Sequence, residues 1–209
     1  MTAKLLAVLM AGAWLAASAQ ADTVLLQKNG RNLQVVSNEK IGPESKKRFS
    51  AWRDRQNYFG VLVLNRSKDG AFGSTLGMHT LEQARKDAMA ICRAHADQPD
   101  DCFEYAYQLP RGYDQTKPGT TIGQSAQKDF VGPYKKRLKP GMFGAFAIDE
   151  SFNAGWAVNR PDEAAAREQA LLACEEGAAK TRARTKANIR KALRLDKRLK
   201  CRVVHVSTR

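Results

Sequence analysis

Four cysteines and three histidines are the residues of this 209-residue chain whose types could do covalent or metal chemistry. The cysteines, Cys92, Cys102, Cys174 and Cys201, make no C-x-x-C redox pair, and no histidine stands at a spacing that completes a zinc site. His79, His95 and His205 are scattered singly, which reads as surface or strand positions rather than general bases. Neither Gly-x-Ser-x-Gly nor His-Glu-x-x-His occurs, and no two carboxylates stand out as an acid and base pair. The expectation is therefore no catalytic residue, no metal and no cofactor, with all four cysteines in disulfides.

Which cysteines pair depends on the elements that carry them, and the chain repeats itself. Phe59-Gly60-Val61-Leu62-Val63-Leu64 resembles Phe143-Gly144-Ala145-Phe146-Ala147-Ile148, 84 residues later. Gly70-Ala71-Phe72-Gly73-Ser74 then matches Ala154-Gly155-Trp156-Ala157-Val158 in character. Ala84 to Cys92 parallels Ala166 to Cys174, now 82 residues apart, and each copy closes on a β-prone run that begins with a cysteine, Cys102 or Cys201. The spacing predicts strand, turn, strand, helix, strand in each copy. Thr80 with Gln83 suits a capping box, and Pro161 with Asp162 and Glu163 suits a first helical turn. By this symmetry the pairing is either Cys92 to Cys102 with Cys174 to Cys201, or Cys92 to Cys174 with Cys102 to Cys201. The first is favoured, because each helix end must lie beside the strand that follows it.

Outside the copies, Asn29-Gly30 between apolar runs predicts an N-terminal hairpin, and Ser45 to Gln56 a short basic helix. Residues 108–141, rich in Pro and Gly, read as a connector draped over the surface with a short helix near Ser125 to Phe130. The expected fold class is α+β: a duplicated ββαβ unit forming one antiparallel-rich sheet covered by helices, with an extra basic C-terminal helix. Its parts are a signal peptide (1–21), a hairpin and short helix (22–57), a first unit (58–107), the connector (108–141) and a second unit (142–209).

The signal peptide rests on Lys4, a thirteen-residue uncharged run from Leu5 to Ala17, and Ala19-Gln20-Ala21, a small-x-small cleavage site. That run is shorter than the roughly 20 residues that span a bilayer. The expectation is a periplasmic or secreted protein with no transmembrane segment after signal removal.

The formal charge of +14 is not spread evenly. Residues 177–209 hold twelve basic side chains against one acid, Asp196, whereas residues 22–176 hold 22 against 20. Most of the excess lies in an insertion, 178–200, between the second pair of cysteines, which stand 17 residues further apart than the first. Lys180, Arg182, Arg184, Lys186, Arg190, Lys191, Arg194, Lys197, Arg198 and Lys200 are the candidate polyanion-binding residues. No aromatic residue interleaves them, which argues against nucleic acid, and no Trp or Phe marks the weakly apolar face, so lipid contact would be superficial. An anionic envelope polymer, lipid head groups or an acidic protein are the expected partners.

The doubled pattern over residues 58–107 and 142–206 resembles the exported bacterial family of domain of unknown function 4189. That resemblance implies a secreted ββαβ module with the four cysteines as structural disulfides and no reaction to inherit. The basic insertion and the N-terminal segment depart from the pattern. The expected function is thus a non-enzymatic binding or interaction protein. The alternatives are an envelope hydrolase with a site between the units, which requires His79 or His205 to meet a carboxylate and a nucleophile, and an inhibitor or immunity-type protein.

Overall fold

The computed structural model describes residues 23–55 and 57–209, so the proposed signal peptide lies outside it. In chain order the elements are β1 (Val24–Leu25), β2 (Lys28–Val35), α1 (Pro43–Asp54), β3 (Gly60–Asn65), β4 (Phe72–Thr75), α2 (Leu81–His95), β5 (Cys102–Arg111) and β6 (Thr120–Thr121). There follow α3 (Gln124–Asp129), a π turn (Phe130–Tyr134), α4 (Lys135–Arg137), β7 (Phe143–Ile148), β8 (Ala154–Arg160), α5 (Glu163–Arg184), α6 (Ala187–Ala192), α7 (Leu195–Arg198) and β9 (Arg202–Thr208). The chain is mixed α+β with antiparallel-rich sheets.

β3 is buried along its whole length and β7 at all but its first position, so each must be covered on both faces. Side chains alternate across a strand. Val61 and Val63 of β3 pack with Ala84, Ala88 and Cys92 of α2, while Leu62 and Leu64 pack with Trp52 and Phe49 of α1. In β7, Ala145 and Ala147 meet Ala166, Ala170 and Cys174 of α5. Phe146 and Ile148 meet Ile122, Phe130 and Tyr134, supplied by residues 122–134.

With cover on both faces, the strands do not form the single sheet that the sequence predicts. Instead of one shared sheet there are separate ones, in the orders β2-β5-β3-β4 and β8-β7-β9, plus a two-stranded parallel pair of β1 and β6. Each larger sheet has helices for both faces and has no need of the other. The connector, too, is not the surface segment its Pro and Gly content predicts. Ile122, Ala126, Phe130 and Tyr134 recur every fourth residue and are all buried, so this segment is a core layer and not a surface drape.

The Asn29-Gly30 hairpin is also corrected. Lys28 pairs with Arg111 and Arg31 with Pro110, so residues 29 and 30 form an irregularity within β2, where Gly30 takes a φ of +97°. The preceding strand is only two residues long and pairs with β6 instead.

α2 and α5 begin as their sequences require. The Thr80 hydroxyl accepts from Gln83 N–H at 3.1 Å and the Asp162 carboxylate from Ala165 N–H at 2.7 Å. The Gln83 side chain turns instead to Asp87, so the capping box is half made. Both helices sit directly on a strand glycine. A Cβ at Gly73 would stand 2.0 Å from the Ala88 carbonyl oxygen, and one at Gly155 would stand 2.1 Å from the Cys174 nitrogen. Gly73 pairs with Val63 and Gly155 with Ala147, so the two-residue length difference falls in the turn before the second strand rather than after it.

Candidate polyanion-binding face

The disulfides are Cys92–Cys102 and Cys174–Cys201, each tying a helix to the strand that follows it in the chain. The second one closes the loop that contains the basic insertion. That insertion is not a single extra helix. α5 runs on to Arg184, Thr185 breaks it with an extended backbone, and α6 and α7 follow around Arg194, whose φ is +50°. The break fits the sequence: the Thr185 hydroxyl donates to the Thr181 carbonyl at 2.7 Å, and β-branched Thr is a poor helix interior residue.

The weakly apolar stripe of the insertion is spent inside the molecule. Ala178, Leu193, Leu195 and Leu199 are buried, with Ile189 and with Ala90 and Ile91 of α2 packed against them. Docking this face on α2 turns the charged face outward. Of the ten candidate cations, Lys180, Arg184, Lys186, Lys191, Arg194, Lys197 and Lys200 are exposed, and Arg182, Arg190 and Arg198 are half-buried. Lys180 pairs with Glu176 at 2.5 Å, and Arg182 donates to the Leu199 carbonyl at 3.5 Å. The other six exposed cations make no ion pair with any described residue.

Arg198 departs from the surface role expected of it. It points inward to Asp87 of α2, with Nη1 2.7 Å from Oδ1 and Nη2 3.1 Å from Oδ2, the bidentate geometry of a strong charge-assisted pair. The side chains are 20% and 5% exposed. Gln83 adds a third donor to Asp87 at 2.7 Å, and Arg198 also donates to the Leu193 carbonyl at 2.9 Å. Arg198 therefore holds the insertion in place instead of presenting charge.

His79 is likewise structural. It is 2% exposed. Gly123 N–H donates to Nδ1 at 3.0 Å, which fixes the proton on Nε2, and Nε2 donates to the Asn153 carbonyl at 3.0 Å. Burial pushes its pKa down, partly opposed by the Asn153 bond and the Asp149 charge. A neutral imidazole thus ties the start of α2 to the connector and to the β7–β8 turn. His205 bonds the Tyr134 hydroxyl at 2.8 Å among Phe130 and Tyr134 rings, and burial, then Lys135, lowers its pKa. His95 is exposed.

A cleft of about 430 Å³ lies beside His79, bounded by Thr80, Gln83, Thr121, Asp149 and Lys200. Asp149 is occupied by the Ser151 and Asn153 backbone N–H groups, at 2.8 and 3.1 Å, and by the Asn153 amide at 2.6 Å. Both nitrogens of His79 are taken by backbone, so this cleft assembles no base with a nucleophile. The described residues contain no group of three or more His, Cys, Asp or Glu able to hold a metal. No helix among them is long and apolar enough to cross a membrane.

Sequence reasoning missed the Arg198–Asp87 pair, since 111 residues separate the partners. It also missed the Phe130, Tyr134, Phe146 and His205 ring cluster. The every-fourth-residue stripe from Ile122 to Tyr134 was the available signal. Compared with known proteins, the chain matches no family model, no curated protein and no solved structure.

Proposed function

We propose that this chain is an exported, non-catalytic binding protein, built by duplication of a ββαβ unit, that contacts an anionic envelope component through its basic insertion. Supporting the duplication, β3-β4-α2-β5 and β7-β8-α5-β9 share element order, a glycine under the helix and a helix-to-strand disulfide. The resemblance to the exported 4189 family belongs to the same reading, and two disulfides are compatible with an oxidising compartment.

The observation that carries the binding reading is the set of six exposed cations without an internal partner, on a segment whose apolar face is already buried. Holding charges on a docked, disulfide-closed segment reduces the ordering cost of binding. The test is retention of the protein by polyphosphate and by lipopolysaccharide at 50 and 200 mM salt, beside a variant carrying Lys186→Gln, Lys191→Gln, Arg194→Gln and Lys197→Gln. Binding should weaken about tenfold or more between the two salts, and the variant should bind weakly at both. Equal, salt-insensitive retention of the two proteins refutes the reading.

A further inference from the structure

Docking of the insertion leaves a groove of about 630 Å³ between α2 and α6, lined by Met89, Ala94, Pro99 and Ala192 with Lys86 and Arg93. Its uncharged lining side chains carry no hydrogen-bond donor or good acceptor, so they offer no partner to the inward amides of an extended peptide, whereas an alkyl chain needs none. Its charged lining residues are both cations. Lys86 is held by Glu82 at 2.5 Å, but Arg93 makes no ion pair with a described residue, and no carboxylate lines the groove. The volume lies within the roughly 300–1,000 Å³ of small-ligand sites.

We propose that this groove takes the alkyl chain of an anionic amphiphile, a phosphate head on Arg93 with its hydrocarbon along Met89, Ala94 and Ala192. The proposal rests on the basic-face reading and narrows it: the anionic partner is one that carries hydrocarbon, and the groove distinguishes it from a bare polyanion. It also places lipid contact at α2 and α6 rather than on the insertion's own apolar stripe, which is buried.

The test is calorimetric titration of the protein with hexyl, octyl and decyl phosphate below their micelle concentrations, with inorganic phosphate and polyphosphate as controls. Affinity should rise about twofold per added methylene, since a groove open on one side shelters part of each group. Ala94→Gln and Ala192→Gln, checked for unchanged thermal melting, should flatten that rise while leaving polyphosphate binding intact, and Arg93→Gln should weaken all three alkyl phosphates by a similar factor. Wild-type affinity independent of chain length, or a slope kept by both Gln variants, overturns the groove. If polyphosphate is not bound while the slope persists, the basic-face reading fails and the groove stands.

Discussion

Replacing Arg198 by Met keeps most of the side-chain volume and removes the charge that faces Asp87. The Asp87 carboxylate is then left 5% exposed with one side-chain donor, Gln83 at 2.7 Å, where it had three. Breaking a buried pair from one side costs roughly 3–5 kcal/mol, and the surviving Gln83 bond together with the 20% opening at Arg198 puts the cost near the lower end, about 3 kcal/mol. For a chain of this length that is a fall in Tm of about 6–12 °C. Urea unfolding followed by tryptophan fluorescence, with disulfides intact, measures it. The double variant Asp87→Leu with Arg198→Met should be about 2 kcal/mol more stable than the two single losses summed, because no charge is left stranded. Polyphosphate binding by Arg198→Met, measured well below its melting point, should match the parent, whereas Lys197→Gln should weaken binding and leave stability unchanged. A loss below about 1 kcal/mol for Arg198→Met, or a binding loss as large as that of Lys197→Gln, refutes the clamp.

Gly73→Ala and Gly155→Ala each push a methyl into helix backbone, within 2.0 Å of the Ala88 oxygen and 2.1 Å of the Cys174 nitrogen, and should each cost about 3 kcal/mol or more in the same urea assay. Tolerance of either would mean the helix rides higher on its strand than described. Stability should also fall as pH is lowered below about 6.5. His79 and His205 both have folded pKa values below the unfolded one, so the unfolded chain takes up their protons first and gains on the folded state. Thermal melts between pH 7.5 and 5.5 read this directly; His79→Asn should be less stable throughout and lose part of the slope, and a flat parent profile would contradict the buried, neutral assignment.

The local chemistry of this fold was readable in one dimension and its long-range placement was not. Thr80 and Asp162 announce their helices because a cap is a contact over three residues. The apolar runs at Val61–Leu64 and Ala145–Ile148 announce strands by composition. The number of sheets was misread because an unbroken apolar strand says only that both faces are covered, not by what. The cover turned out to be α1 in one case and residues 122–134 in the other, where Gly132 and Pro133 disguise a four-residue stripe. The charge of the insertion was visible, but Arg198 looks like its nine neighbours until Asp87 is set beside it.

Side-chain volumes alternate along β7, and this governs how the β8-β7-β9 sheet assembles. The small residues of β7, Ala145 and Ala147, face the helix that lies on Gly155, and its large ones, Phe146 and Ile148, face the ring cluster. A slip of β7 by one residue would exchange the faces, driving a phenyl ring into a space sized for methyl groups and leaving alanines opposite Phe130 and Tyr134. Both errors occur together, so a misaligned strand is penalised twice, by overlap on one side and by a void on the other. The pairing of β7 with β8 and β9 is in this sense keyed by side-chain size, like the wards of a lock, before any hydrogen bond of the ladder is counted.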